Sequence, residues 1–224
     1  MSATLAIATP AAAATLEVRN LGHHYGTRRG LESVSFTAVA PGVTVIAGPN
    51  GAGKSTLLRI VAGLLRPAEG EVRMTLGGVA LDAAARRLRV GFCSPDLAFY
   101  EELSARENLE FAASARGFGT PRATALAALE RVGLGLRADD RVAALSSGMR
   151  QRLRLAFAWL GAPEVVLLDE PESHLDPPGR EMLRELTRGH ARIGTMLLAT
   201  NDEGTKSLGD LEVELRGGGL GRPR

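Results

Sequence analysis

Short apolar runs and amphipathic stretches alternate along this chain. Residues 16–20 alternate apolar and polar positions and predict a strand, and 34–40 predict a second. A Gly-, His- and Arg-rich turn separates them. Pro41-Gly42 marks a turn, and the β-branched run 44–47 reads as a buried strand. Leu57, Leu58, Val61, Ala62 and Leu65 follow helical spacing and predict a helix over 55–65, stopped by Pro67. Residues 71–80 predict a hairpin around Gly77-Gly78, and 90–93 another short strand. Ser104 with Glu107 forms a capping-box signature, so a helix opens there and fades at 117–119. Thr120-Pro121 opens the next helix, running to about Val132, with a hydroxyl cap and a proline at the first position. Residues 133–144 read as loop and 148–160 as helix. Residues 165–168 form an apolar strand, Asp176-Pro177 opens a helix to about Arg188, and 193–199 and 211–215 are strands.

Strands come first, then strands and helices alternate, with a helical insert over 104–160. That order predicts an α/β sandwich with a mostly parallel sheet. The 224 residues suit one domain. Lys and Arg number 27 against 25 Asp and Glu, a net charge of +2, so nothing in the balance calls for nucleic acid. Cys93 is the single cysteine, which excludes an internal disulfide and a cysteine metal cluster. No run of about 20 apolar residues exists to span a bilayer. Residues 1–15 read as a disordered tail without the basic start of a signal peptide, and 217–224 as a Gly/Arg-rich tail.

Two motifs carry chemistry. Gly48-Pro49-Asn50-Gly51-Ala52-Gly53-Lys54-Ser55 matches GxxxxGK[ST], directly after a buried strand and before a helix. Glycines let backbone N–H groups converge on phosphate oxygens at a helix N-terminus. Lys54 reaches the outer phosphates, and Ser55 ligates Mg²⁺. The run Val165-Val166-Leu167-Leu168 then delivers Asp169 and Glu170 to the sheet edge. Asp169 suits Mg²⁺, and Glu170 suits the polarisation of a water.

Together these residues resemble the ATP-binding-cassette ATPases over about 16–216, with the helical lobe at about 97–160. The resemblance implies a P-loop NTPase sandwich with an N-terminal antiparallel β subdomain and a small helical lobe. Leu145-Ser146-Ser147-Gly148-Met149, followed by Arg150-Gln151-Arg152-Leu153, resembles the family signature LSGGQ and its basic helix. Tyr25 stands where the family stacks adenine. Asn50, Gly51, Ala52, Gly53, Lys54, Ser55 and Thr56 stand where it binds ATP. Ser173-His174-Leu175-Asp176 resembles the loop that meets a second subunit, and Asn201 occupies the switch position. The family pairs two subunits head to tail, so Ser146 and Gly148 are expected on the partner's ATP.

Three positions depart from the family pattern. Ser147 and Met149 alter the signature. Pro95 replaces a metal-contacting Gln, leaving Asp96 as an expected oxygen ligand. Asn201 replaces the switch His; it donates a hydrogen bond but cannot charge. The histidines read as solvated residues rather than as a metal site. The resemblance implies an ATPase subunit that binds ATP and Mg²⁺ and pairs with a second copy. Its expected place is the cytoplasmic face of the cell membrane, held by an integral-membrane permease, with export as the expected direction. A slow or inactive ATP-gated dimer switch is the alternative. Phe99, Tyr100 and Leu103 either line the permease groove or belong to the lobe's core.

Overall fold

The computed structural model describes residues 14–26, 28–216 and 219–220. The predicted tail 1–15 lies outside these except at Ala14 and Thr15, which are already strand. Strand β1 spans Ala14–Tyr25 and pairs antiparallel with β2, Arg28–Thr37. Strand β3, Gly42–Ala47, leads through the glycine loop into helix α1, Lys54–Val61. The helix is shorter than 55–65 because Gly63 takes a left-handed φ of 74°. The expected hairpin is β4, Glu69–Leu76, and β5, Val79–Leu81, turning at Gly77-Gly78. Helix α2, Ala83–Arg89, was not expected; it is capped by Asp82 and buries no residue, so no apolar period announces it.

Strand β6 is Val90–Cys93. Helix α3, Ala105–Ala115, forms the capping box of Ser104 and Glu107 in both directions. Helix α4 spans Pro121–Arg131, but the Thr120 hydroxyl makes no cap bond; its backbone lies outside the extended region that caps use. The 133–144 loop contains two single 3₁₀ turns. Helix α5 is Ser147–Ala158, followed by β7, Val165–Asp169. Asp176 caps α6, Pro177–Ala191, through the Gly179 N–H. Strand β8 is Thr195–Ala199, and a short α7 spans Glu203–Lys206. Strands β9, Leu211–Arg216, and β10, Gly219–Leu220, complete the order. Of the predicted tail 217–224, the remainder lies outside the described residues.

The strands form one sheet in the order β5-β4-β1-β2-β10-β9-β3-β8-β7-β6. From β9 to β6 the neighbours are parallel, and from β5 to β2 they are antiparallel. The fold is therefore the α/β sandwich expected: a mostly parallel core sheet, an N-terminal antiparallel sheet and helical lobes.

Alternation along the parallel strands builds two cores. Val43, Val45, Val166, Leu168, Met196 and Leu198 face the helical lobe and α6. Ile46, Val165, Leu167, Leu197 and Ala199 face α1 and the antiparallel arm. The parallel strands are apolar throughout because both faces are covered. Asp210 fastens β9 to β3: its carboxylate accepts from the Val43 N–H at 2.8 Å, and its own N–H donates to the Val43 carbonyl at 2.8 Å.

Candidate nucleotide site

Strand β3 ends and α1 begins at one edge of the parallel sheet, where β7 and β8 also end. A cavity of about 360 Å³ lies there, lined by Tyr25, Asn50, Gly51, Gly53, Lys54, Ser55, Thr56 and Glu170, with Gly30 and Arg59. Gly53 caps α1 at φ 100°. A Cβ on it would stand 2.2 Å from the Gly30 carbonyl oxygen, so glycine alone lets the loop lie against β2. Leu57 donates to the Gly53 carbonyl at 2.8 Å, and the N–H groups of the preceding turn are those that a helix start leaves for an anion.

Lys54 folds over its own loop. Its ammonium donates to the Gly48 carbonyl at 2.6 Å, the Pro49 carbonyl at 3.3 Å and Asn201 Oδ1 at 3.2 Å. Asn201 also donates from Nδ2 to Asn50 Oδ1 at 2.9 Å. The expected switch residue thus clasps the phosphate loop across more than half the chain. Burial lowers the Lys54 pKa, and the charges of Glu170 and Asp169 oppose that shift.

Asp169 ends β7 almost fully buried. Burial raises its pKa, while a hydrogen bond from the Ser55 hydroxyl pulls it back. Glu170 leaves the strand in a left-handed conformation, φ 46°, held by its N–H donating to the Ala199 carbonyl at 2.9 Å. This turn aims the side chain into the cavity beside Lys54. Tyr25 is 47% exposed on the rim, with its hydroxyl 3.3 Å from Thr56 Oγ1 and its ring edge-on to His23. Ala52 is buried beneath the loop.

The structure does not bring every expected residue to this place. Asp96 lies in a turn closed by the Leu97 N–H on the Ser94 carbonyl. That turn carries it outward, where its carboxylate is paired with Arg59 and 74% exposed. Ser55 and Asp169 remain together as a hard oxygen pair; Asp96 does not join them. Ser146 and Gly148 also lie outside the cavity. Ser146 caps α5, its hydroxyl accepting from the Met149 N–H at 3.2 Å. A Cβ on Gly148 would stand 3.0 Å from the His174 carbonyl oxygen, which brings the signature against the 173–176 loop.

Gln151 was not anticipated. It is the polar member of the buried stripe of α5, and its Nε2 donates to the Pro171 carbonyl at 3.0 Å, holding the turn after Glu170. Its position among Leu155 and Ala158 was the available signal. Cys93 lies beside it, fully buried, its thiol pushed up to about 12 by desolvation. A thiol so placed is inert. Folded protein at pH 8 is expected to resist a thiol-specific reagent and to react in denaturant; labelling kinetics by mass spectrometry check this.

A second hollow of about 660 Å³ opens on the other side of Arg59, which lines both. Phe99, Tyr100, Phe111, Phe157 and Arg116 are among its walls. Phe99 is half-buried against Phe157, and Tyr100 is exposed against Phe111. Leu103, at the edge of exposure, is not part of this wall.

The sequence matches the ABC transporter family over residues 31–173. This chain belongs to that family. The daunorubicin resistance ATP-binding protein DrrA3 of Streptomyces coeruleorubidus is 39% identical over 178 residues, covering 79% of this chain and 56% of its own. The aliphatic sulfonates import ATP-binding protein SsuB 3 of Pseudomonas savastanoi pv. phaseolicola is 39% identical over 189 residues, covering 84% and 67%. The chain thus spans little more than half the length of the former. Among solved structures, the dimeric ATP-binding cassette MJ0796 in a post-hydrolysis state bound to ADP and Pi superposes with a TM-score of 0.83. It is 25% identical and covers 93% of this chain and 97% of its own. The family match and the superposition thus agree on an ABC-type cassette. No helix among the described residues is long and apolar enough to cross a membrane.

Proposed function

We propose that two copies of this chain close head to tail on two ATP molecules and drive a membrane exporter. One observation carries the reading. The cavity gathers the phosphate loop and Glu170, with Asp169 buried next to Glu170 at the end of β7, while Ser146 and Gly148 stand outside it at the exposed start of α5. A second copy, turned about, would supply a hydroxyl, a glycine and a helix start to the open side of the cavity. The dimeric MJ0796 cassette supports this arrangement.

In this mechanism the loop N–H groups and Lys54 hold the phosphates, and Tyr25 presents its ring to the base. Lys54 leaves the carbonyls of Gly48 and Pro49 to do so. Glu170 orients a water and accepts its proton as the phosphate bond breaks. Ser55 and Asp169 fit Mg²⁺, which prefers hard oxygens and keeps several waters. When bound, the ion would neutralise charge on the outer phosphates. Asn201 would donate its amide to the terminal phosphate.

The 660 Å³ hollow suits the membrane partner. Its exposed aromatic rim at Tyr100 and Phe111 awaits a covering segment, and Arg59 connects it to the nucleotide cavity. The export direction draws on the Streptomyces relative, named for drug resistance. The protein would then sit on the cytoplasmic face of the membrane through that partner. Pro95 and Asn201 favour the second reading, an ATP-gated switch with slow turnover.

Steady-state phosphate release with Mg-ATP against protein concentration tests the proposal. A rate rising faster than linearly is expected, because the competent site needs two chains. A strictly linear rate refutes head-to-tail assembly, and a rate at background refutes hydrolysis by the chain alone.

A further inference from the structure

Glu172 is a carboxyl buried to 8% exposure in the turn after the base, and nothing in the sequence patterns gives it a role. Its Oε1 accepts from the hydroxyl of Thr200, itself fully buried, while its Oε2 is buried with no hydrogen-bond partner. Burial raises the carboxyl's pKa above the ordinary range. Such a group is costly in a fold unless its place matters.

Its place lies between two working segments. Glu172 follows Glu170 by two residues, and Thr200 directly precedes Asn201. The Thr200 oxygen also accepts from the Asp202 N–H at 3.0 Å, which curls the backbone around Asn201. Asp202 in turn caps α7 and pairs with Arg180 on α6 at 3.1 Å. A backbone bond from Glu170 N–H to the Ala199 carbonyl runs beside the Glu172–Thr200 bond. Two bonds therefore cross from the base-bearing turn to the end of β8, and Asn201, the next residue, reaches Lys54 and Asn50.

We infer that Glu172 is a positioning residue for ATP hydrolysis: through the Thr200 hydroxyl it sets Asn201 relative to Glu170. This rests on the hydrolytic reading above. Asn201 is a short amide with both ends already engaged. Unlike a longer ring, it has little reach to make up for a displaced backbone. An amide N–H donor that shifts with its backbone would lose the terminal phosphate, so the fold holds it from behind.

The test uses the full chain. Thr200→Val keeps the shape and removes the donor. It is expected to lower kcat by roughly 10- to 100-fold, the scale of a small misplacement of a catalytic group, with KM within about twofold. Thr200→Ser restores the hydroxyl and should restore kcat, and Glu172→Met, which removes the acceptor, should lower kcat as Thr200→Val does; a Glu172→Met enzyme at the wild-type rate would overturn the inference. The deciding variant is Thr200→Val with Asn201→Ala, which should be no slower than Asn201→Ala alone. Losses that multiply, a kcat unmoved by Thr200→Val, or failure of Thr200→Ser to restore it would overturn the inference. If wild type itself does not hydrolyse ATP, the hydrolytic reading has failed separately. Calorimetric affinities for ATP and ADP then decide: Thr200→Val should lower the ATP-to-ADP preference as Asn201→Ala does, and an unchanged preference overturns it.

Discussion

Glu170→Gln should cut phosphate release by roughly 100- to 1,000-fold, within the range that general-base catalysis supplies, while ATP still binds. The reason is geometric. The left-handed turn at Glu170 and its N–H bond to Ala199 fix where the side chain emerges, and glutamine fills the same space without accepting a proton. Lys54, Ser55 and the loop remain intact, so nucleotide affinity should stay within about twofold. If the site forms between two chains, ATP that cannot be cleaved should hold them together. Light scattering should then show the variant as a stable dimer in Mg-ATP, where wild type is mostly monomeric. An ATPase rate equal to wild type would remove Glu170 from the chemistry altogether.

Gly53→Ala should nearly abolish nucleotide binding in a protein that still folds. Two effects add at this position. A left-handed alanine is disfavoured by about 1–2 kcal/mol, and overpacking a tight contact costs about 1–3 kcal/mol. The methyl would meet a backbone oxygen at 2.2 Å, which no rotamer change relieves. The loop can escape by lifting off β2, but doing so undoes the arrangement that faces phosphate. Some 3 kcal/mol spent this way corresponds to roughly 100-fold in affinity. Calorimetry with ATP and a thermal melt separate the possibilities. Weak binding with a nearly unchanged melt is expected, and a collapsed melt with normal affinity would place the strain in the fold instead.

The legible parts of this protein were those in which sequence neighbours do the work. Strands β3, β7 and β8 are short apolar runs because they are buried on both faces, and their sequence says so directly. The capping box at Ser104 and the Asp176 cap act over three residues and were readable for that reason. The phosphate loop is likewise continuous. Helix α2 escaped because it buries nothing, and α7 because it is a single turn held by one aspartate. Asp96 looked like a ligand by adjacency to Pro95. Its direction is set by a turn and by Arg59, thirty-seven positions away. The Gln151 bond to Pro171 and the Glu172 bond to Thr200 are tertiary pairings between distant segments. A polar residue within a buried stripe was the only trace the first could leave, and the second, in a turn, left none.

The Asp210 clasp on Val43 joins residues 167 positions apart, and β9 behind it lies near the middle of the sheet, not at its rim. A ribosome making this chain therefore releases the glycine loop, Glu170 and the start of α5 well before it releases the strand that seats β3 beside the antiparallel arm. Until β8 and then β9 follow, β3 lacks both of its neighbours, with open rows of amides and carbonyls on each side. Closing a pairing this remote is slow, since the loop entropy is lost before contacts repay it. The nascent cassette must pass through a stage with an exposed sheet interior, which is when an attending chaperone would matter to it.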